Sequence, residues 1–571
     1  MARRFLLSLT LVLTLGGCSP AKNPPKAVVS PTPPSKAESC LRVVSWNDLH
    51  GQLEAEDVWL DTGRVPAGGV VALADHVDAA RKSGEPVFVL DAGDLFTGPM
   101  ESTLAEGAPV IAGYGVLGVD AATIGNHEFD FGPVGYEKVV AAPGKSDADG
   151  ADGPRGALLA RMRDAKFPFV SANVRTLAGA SPTWPNVKPW VILERGGMKL
   201  GVVGYSTRET PITTLKPNIE GLTFDKDAAE HVREGIRALR AAGASPVVLL
   251  AHASLDGELP QDLDDPKDPH GDHLKGELPT LFAALGTDLP DLAVAGHRHA
   301  WMLGRVLGVP VVSSDQHGVG YAESRFCRGS NGSMSLRTID RRVAFASNPP
   351  ASALGKQVQT AVQPWVDSIR AQADTVIASV PRICMAQGPN GTALAESIAR
   401  AILERAKKEG MLATGAVAVS VVNAGGIRTP IKAGPVKNRD LFAVLPFENA
   451  ISTCTTTKAG LERALSNLVK KVTVRDRFPF GISGAEVRAH RPADVPLVLD
   501  EIKPNGWTAK GKDEVVIVMP DFLLFGGDGF LDGVTCSATR TSPVRIRDAY
   551  AAALPSQTEG CDGPAKNVKM E

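Results

Sequence analysis

The hexapeptide Gly125-Asn126-His127-Glu128-Phe129-Asp130 directly follows the apolar run at residues 121–124, which we interpret as a short buried strand. The glycine ends the strand and turns the chain, so that an amide, an imidazole and a carboxylate follow the strand's carboxyl end. Open α/β sheets bind their ligands at that edge. Asn126 can coordinate a metal, His127 can ligate one or move a proton, and Asp130 can orient His127. Taken alone, the hexapeptide is equally typical of a capped turn.

Further oxygen and nitrogen donors follow other predicted strands. Asp48 and His50 follow the strand at 41–45, and Asp94 follows the strand at 87–90. His252 follows the strand at 247–251, and His297 and His299 follow the strand at 292–295. A single histidine in such a place is more often a turn or core residue, but five of the chain's 11 histidines lie at strand ends. Such a set of donors can bind two divalent cations that are bridged by a carboxylate. Mixed imidazole and carboxylate ligands suit Zn, Mn, Fe or Co.

The alternation of short apolar runs with helical patterns predicts an α/β fold between residue 41 and about residue 340. The remaining predicted strands of this region lie at 169–172, 200–204 and 311–313, and its predicted helices at 70–82, 157–164, 227–241 and 278–285.

A chain of 571 residues is too long for a single core, so two or more domains are expected. Residues 351–380 have helical periodicity and predict an inter-domain helix. A second α/β region follows, with a helix at 393–408 and strands near 417–422 and 515–518. We therefore predict the following organisation: an N-terminal segment with a Pro-rich tether (1–40), a dimetal domain (41–345), a linker helix (346–380) and a second α/β domain (381–571).

The second region offers groups that suit a nucleoside. Asn423 and Arg428 flank paired glycines after a predicted strand, where backbone can approach a ligand and a guanidinium can fork onto a phosphate. Phe447 and Phe522 lie near predicted turns, and Asp528 lies on a glycine turn. Aromatic faces, an amide and a carboxylate can stack a base and bind ribose hydroxyls. Each phenylalanine is, without this context, more often a core residue.

The N-terminal residues have the pattern of an export signal. Arg3 and Arg4 precede an apolar segment at 5–15 that is too short to span a bilayer. The segment ends before Cys18 in a stretch that resembles a bacterial lipobox. That resemblance implies acylation of Cys18 and a lipid anchor in the outer membrane, on its periplasmic or surface side; plain signal-peptide cleavage is the alternative.

The charge balance bears on the type of partner, and the cysteine content bears on disulfide formation. Lys plus Arg total 61 against 63 for Asp plus Glu, which argues against a nucleic acid polymer as the partner. Without Cys18 six cysteines remain, and an even number in an exported chain predicts disulfides. Six cysteines allow 15 pairings, among which the sequence does not choose.

In its motifs the chain resembles the calcineurin-type metallophosphoesterases, and more narrowly the 5′-nucleotidase/UDP-sugar hydrolase family. The motifs are Asn47-Asp48-Leu49-His50-Gly51, Gly93-Asp94, Gly125 to Asp130, Ala251-His252 and Gly296-His297-Arg298-His299. The resemblance implies a four-layer β-sandwich flanked by helices and two divalent metals. One metal would take Asp48, His50, Asp94 and His299; the other would take Asp94, Asn126, His252 and His297.

The same resemblance implies roles outside the metal shell. His127 would contact the phosphoryl group without binding a metal, held by Asp130. In the second region, Phe447 and Phe522 would sandwich the base and Asp528 would bind the ribose, with Asn423 near the base and Arg428 near the phosphate or ribose. The chain departs from the family around Arg382, where the family carries an arginine-bearing loop, so a phosphate-binding role of Arg382 stays open.

We therefore predict an exported, metal-dependent 5′-nucleotidase that closes its two domains about the linker helix. The nearest alternatives are a 2′,3′-cyclic nucleotide phosphodiesterase and a UDP-sugar pyrophosphatase. A different class of protein, a non-catalytic nucleotide-binding lipoprotein, is disfavoured by the intact ligand set.

Overall fold

The computed structural model describes most of the chain from residue 39 onward. The described residues are 39–60, 63–132, 153–224, 227–263, 269–330, 332–470, 478–492, 497–508, 513–556, 561 and 563–570. The predicted signal segment, Cys18 and the tether lie outside them. Within the described part of the chain, no helix combines the length and the apolar character needed to cross a membrane.

Two large sheets form the first half of the fold. In spatial order, one has seven strands, Met334–Val343, Gly320–Arg328, Cys40–Trp46, Val87–Asp91, Ala121–Thr123, Phe169–Val170 and Val187–Lys188. The other has six strands, Trp301–Val306, Val309–Ser314, Leu292–Ala295, Val247–His252, Met198–Ser206 and Trp190–Arg195. Each prediction of a strand in this region corresponds to one of these strands.

The two sheets pack face to face. Val43 and Leu90 of the first sheet share a buried cluster with Val202, Leu250 and Val294 of the second. Strands covered on both faces have no solvent-facing side, which explains why they appear in the sequence as continuous apolar runs.

Helices cover the outer face of each sheet and complete four layers, as predicted. The first sheet is covered by Gly69–Arg81, Ala108–Leu117, Gly156–Asp164 and Ala353–Ala373, and the second by Ala228–Ala241 and Glu277–Leu285. Short helices lie at Met100–Thr103 and Thr210–Thr213, and small two-stranded sheets pair Glu56–Leu60 with Gly63–Ala67 and Val174–Thr176 with Leu222–Phe224.

The helix Ala108–Leu117 was not expected from the sequence, because Gly113 and Gly115 lower its helix propensity. Packing explains the glycine at 113. A Cβ there would lie 3.1 Å from Val362 and 3.4 Å from Val70, so glycine permits close approach of two neighbouring helices. Tertiary contact thus outweighs local propensity here.

The region predicted as an inter-domain helix contains the helix Ala353–Ala373 and then the strand Val376–Val380. The hydroxyl of Ser352 caps the helix by accepting a hydrogen bond from the backbone N–H of Gly355. Val358, Val362 and Val366 of this helix are buried in the core of the first region. The helix is therefore packed along the first region over most of its length.

The second region is built on a five-stranded sheet in the order Phe480–Ser483, Ala418–Asn423, Val515–Pro520, Ala450–Thr456 and Ala538–Arg545. The helices Ala393–Lys408 and Ile546–Ala553 pack on one face, and Lys458–Lys470 packs on the other. Two further helices lie at Asn438–Val444 and Asp521–Leu524. A three-stranded sheet contains Val498–Pro504, Ala485–His490 and Val568–Met570, and the strand Gly434–Lys437 pairs with Val376–Val380.

The six cysteines of the described residues form three disulfides, as their even number predicted. The pairs are Cys40–Cys327, Cys384–Cys561 and Cys454–Cys536. Disulfides of this number are typical of proteins that fold outside the reducing cytosol.

Candidate active site

Parallel strand pairing brings the predicted donors together at one edge of the sandwich. Cys40–Trp46, Val87–Asp91 and Ala121–Thr123 are parallel neighbours in one sheet, as are Met198–Ser206, Val247–His252 and Leu292–Ala295 in the other. The donors lie at or just beyond the carboxyl ends of these strands, which is the edge where open α/β sheets hold their ligands.

The turns that present the donors are unusually tight. Asp48, His50, Asp94, His297 and His299 all have positive φ, between 49° and 77°. For a residue with a Cβ this conformation costs about 1–3 kcal/mol, and such strain concentrates at functional sites. The sequence motifs identify these residues but do not reveal the strain.

One donor cluster consists of Asp48, His50 and His299, whose donor atoms lie within 4.8 Å of one another. Nδ1 of His50 lies 3.0 Å from the carbonyl of Thr97, which can only accept, so Nδ1 carries the proton. Burial lowers the pKa of His50 well below its usual value, as does the Arg428 guanidinium, so the ring is neutral. Its Nε2 lone pair faces Nε2 of His299 at 2.9 Å, an arrangement that suits a shared cation.

The second cluster contains Asp94, His252 and His297. The amide oxygen of Asn126 lies 3.2 Å from Nε2 of His252 and 3.0 Å from Nδ1 of His297. Nδ1 of His252 donates to the carbonyl of Ala92 at 2.8 Å, so its Nε2 turns toward the cluster. Although burial opposes the charged ring, Asp94 raises the pKa of His252 to about 10, and a bound cation would replace that proton.

Asp94 lies between the two clusters. Its Oδ2 is 3.0 Å from Nε2 of His252 and 3.9 Å from Nε2 of His50. The turn that carries it touches the turn after the strand Ala121–Thr123, where a Cβ on Gly125 would lie 2.2 Å from Oδ1 of Asp94. Carboxylate and imidazole donors in two adjoining buried clusters fit two divalent cations.

His127 lies beside the clusters and belongs to neither. Its Nδ1 is 2.7 Å from the carboxylate of Asp130, which leaves Nε2 for the cavity. Burial lowers the pKa of His127, but Asp130 and Asp94 outweigh it and raise the pKa above the usual value. The ring is thus held in one orientation and in a form that can donate a proton.

Glu209 is a site residue that the sequence analysis missed. Its carboxylate lies 3.0 Å from Nε2 of His297 and fixes that ring so that Nδ1 faces the second cluster. The hydrogen bond from His297, against opposing burial, lowers the pKa of Glu209 to about 2. The buried Glu277 accepts hydrogen bonds from the hydroxyls of Tyr205 and Thr207 and supports the turn before Glu209. Nothing in the spacing of these residues marked them.

Side chains of the second region reach this site. Nη2 of Arg428 lies 3.3 Å from Nε2 of His299 and 3.5 Å from Nε2 of His50. The ring of Phe447 stacks on the ring of His127, with centroids 5.3 Å apart and planes inclined by 20°. The chain thus brings Arg428 to the donor clusters and Phe447 to the imidazole beside them.

A cavity of about 1020 Å³ joins the two regions. The predicted site residues that line it are Asp94, Asn126, His127, Asp130, His297, His299, Asn423, Arg428, Phe447, Phe522 and Asp528. Asp48, His50 and His252 are buried at 3% exposure or less. The amide of Asn423 donates to the carboxylate of Asp528 at 2.8 Å, so these two predicted binding groups are mutually oriented.

Arg382, considered for phosphate binding, is exposed, and the described lining of the cavity contains Met385, Ala386 and Gln387 instead. Phe525, with 41% of its surface exposed, adds a third aromatic ring that the sequence analysis did not identify. It directly follows the short helix Asp521–Leu524 that carries Phe522, so its closeness to Phe522 in the sequence was the available signal.

The fold and the paired donor clusters define a metal-dependent phosphoric ester hydrolase with two metal sites. Two protein-family models match the chain: calcineurin-like phosphoesterase over residues 41–301, and 5′-nucleotidase, C-terminal domain, over residues 368–533. The first region thus matches the calcineurin-like phosphoesterases, and the second matches the 5′-nucleotidase C-terminal domain.

Relatives and solved structures agree on this architecture. A probable 5′-nucleotidase of Treponema pallidum is 26% identical over 506 residues, which are 80% of this chain and 80% of that protein. A 5′-nucleotidase precursor from Thermus thermophilus superposes with a TM-score of 0.71 at 20% identity, over 93% of this chain and 99% of that one. The sulfate thiohydrolase SoxB from the same organism superposes at 0.65 with 17% identity, over 95% and 98%. The fold alone therefore does not select the substrate.

Proposed function

We propose that the chain hydrolyses nucleoside 5′-phosphates. The observation that carries this proposal is one cavity lined by members of both donor clusters (His299, Asp94 and His297) and by Phe447, Phe522 and Asp528. Metal donors, aromatic rings and a carboxylate match the three parts of a nucleotide: phosphate, base and ribose.

The two cations would be held as the sequence analysis predicted. One would bind Asp48, His50, Asp94 and His299, and the other Asp94, Asn126, His252 and His297, with Asp94 shared. When bound, a pair of divalent cations neutralises phosphoryl oxygens and lowers the pKa of a nearby water. The donor types suit Zn, Mn, Co or Fe and do not choose among them.

The protein's own side chains would position the ester and stabilise its charge. Phe447 and Phe522 stack the base, Asp528 accepts hydrogen bonds from the ribose hydroxyls, and Asn423 lies near the base. Arg428 contacts the phosphate, since its guanidinium already lies beside His50 and His299. His127, oriented by Asp130, places Nε2–H on a phosphoryl oxygen and stabilises the charge that develops there.

The test is a substrate panel on the purified chain loaded with Mn²⁺ or Zn²⁺. It contains AMP, UDP-glucose, cyclic AMP isomers and thiosulfate esters, and each rate is measured with and without a chelator. We expect AMP to be hydrolysed with the highest kcat/KM and every rate to fall to background with the chelator. A higher kcat/KM for another substrate, or activity that survives chelation, would contradict the proposal.

We predict that Phe522→Ala raises KM for AMP about tenfold, because base stacking on an aromatic ring contributes about 1–3 kcal/mol. Initial rates over a range of AMP concentrations measure the effect. Phe480→Leu is the matched control, since Phe480 is a buried core ring in the five-stranded sheet of the same region. Its KM should stay at the value of the unaltered chain. A Phe522→Ala enzyme with unchanged KM would remove this residue from the base site.

We further propose that the chain is exported and anchored through acylated Cys18. The three disulfides support an oxidising compartment. Mass spectrometry of the N-terminal peptide from cell envelopes should find a diacylated cysteine, and Cys18→Ser should release the protein from the membrane fraction. An N-terminus beyond Cys18 with no acyl group would show plain signal cleavage instead.

A further inference from the structure

Phe447 is presented by a segment without regular secondary structure. Residues 445–449 lie between the helix Asn438–Val444 and the strand Ala450–Thr456. The ring of Phe447 is half-buried, lines the cavity and stacks on His127. A half-exposed ring on an irregular segment keeps one orientation only if other groups hold the segment.

The buried guanidinium of Arg547 touches the segment on both sides of Phe447. Its Nη1 donates to the backbone carbonyl of Leu445 at 3.1 Å, and its Nη2 donates to the carboxylate of Glu448. The side chain of Arg547 is only 4% exposed and that of Glu448 only 7%. The guanidinium also lies over the ring of Phe442, with Cζ 3.5 Å from the ring centroid.

Neighbouring contacts tie the same segment to the start of the helix Ile546–Ala553. Nε of Arg545 lies 3.3 Å from Glu448, and the backbone N–H of Ile546 donates to the carbonyl of Asn449 at 2.9 Å. Arg547 is the one among these groups that contacts both ends of the Leu445 to Glu448 segment.

A buried, ion-paired arginine contributes little to the stability of the folded chain. Removing a guanidinium from water is costly, and apolar side chains of similar volume often replace buried ion pairs without loss of stability. A planar guanidinium offers fixed donors that reach two acceptors at a set spacing. Its presence at this place therefore points to control of geometry.

We propose that Arg547 is a positioning residue for base recognition: it clamps Leu445 and Glu448 and so fixes the ring of Phe447 in the cavity. This inference rests on the proposed nucleotide substrate. It assigns Arg547 an effect on nucleobase binding and none on the chemistry at the donor clusters, because His127, on which Phe447 stacks, keeps its orientation through Asp130.

The test compares two phosphate esters that differ in the base: AMP, and ribose 5-phosphate, which has the same pentose phosphate without a base. For Arg547→Met we expect KM for AMP to rise about tenfold, as for a weakened stacking contact, with kcat for AMP within about twofold. For ribose 5-phosphate, kcat/KM should stay within about twofold. Arg547→Lys keeps the charge but not the planar fork, so its KM for AMP should lie between those of the unaltered chain and Arg547→Met.

Arg540→Met is the matched control, because Arg540 lies on the neighbouring strand and donates to the carbonyl of Gly410 instead. Glu448→Gln, which keeps an acceptor, provides a second variant should Arg547→Met fail to fold; its KM for AMP should rise about threefold. The KM of Arg540→Met for AMP should equal that of the unaltered chain, whereas an unchanged KM for AMP in Arg547→Met and in Glu448→Gln overturns the inference. Equal losses of kcat/KM with AMP and with ribose 5-phosphate also overturn it, because they indicate that the whole active site is disturbed. Failure of the unaltered chain to hydrolyse AMP would overturn the proposed function instead.

Discussion

Asp94→Asn is expected to lower kcat/KM for AMP by more than about 10³-fold, the largest effect of a single isosteric change in this protein. Asp94 lies within 3.9 Å of one ring in each donor cluster. A neutral amide of the same shape cannot balance two cations, so the metal content should fall below two ions per chain. Hydrolysis assays and metal analysis after dialysis measure both effects.

Asp288→Asn is the matched control for this change. Asp288 forms a surface ion pair with Arg237 at 2.8 Å, and such exposed pairs contribute little to stability. Its rate and metal content should equal those of the unaltered chain. Full metal content together with a rate within about tenfold in Asp94→Asn would show that Asp94 does not bridge the clusters.

His127→Gln is expected to lower kcat for AMP by about 10²–10⁴-fold, the range typical of a lost general acid–base or charge-stabilising group. Metal content should stay at two ions per chain, because the His127 ring belongs to neither donor cluster. Asp130→Asn should have a smaller effect, about 10–100-fold, since Asp130 acts only through the orientation of the ring. Steady-state kinetics and metal analysis on the same samples test both variants.

His76→Gln is the control, since His76 lies on an outer helix with its Nε2 3.2 Å from the carbonyl of Phe345. It should leave both kcat and metal content unchanged. Loss of a metal ion in His127→Gln would make His127 a ligand and would contradict its placement beside the clusters. An unchanged kcat would remove it from the reaction.

Local patterns in the sequence predicted the layered α/β fold well where strands are buried on both faces. The predicted strand at 292–295 and the predicted helix at 393–408 coincide with Leu292–Ala295 and Ala393–Lys408. The strands Gly320–Arg328 and Met334–Val343 were missed. Met334–Val343 is an edge strand whose exposed residues alternate with less exposed ones, so it lacks the continuous apolar run that identified the central strands.

Local sequence patterns were sufficient to predict which donor types follow which strands, because an apolar run and the turn after it are local features. Long-range packing, in contrast, sets the three cysteine pairings, the contact of Glu209 with His297 and that of Arg547 with Leu445 and Glu448. Each of these contacts joins residues between 82 and 287 positions apart, and they meet only because sheets and helices pack in one particular way. The spacing of residues along the chain does not predict such contacts, whereas it does identify the turns that present the donor residues.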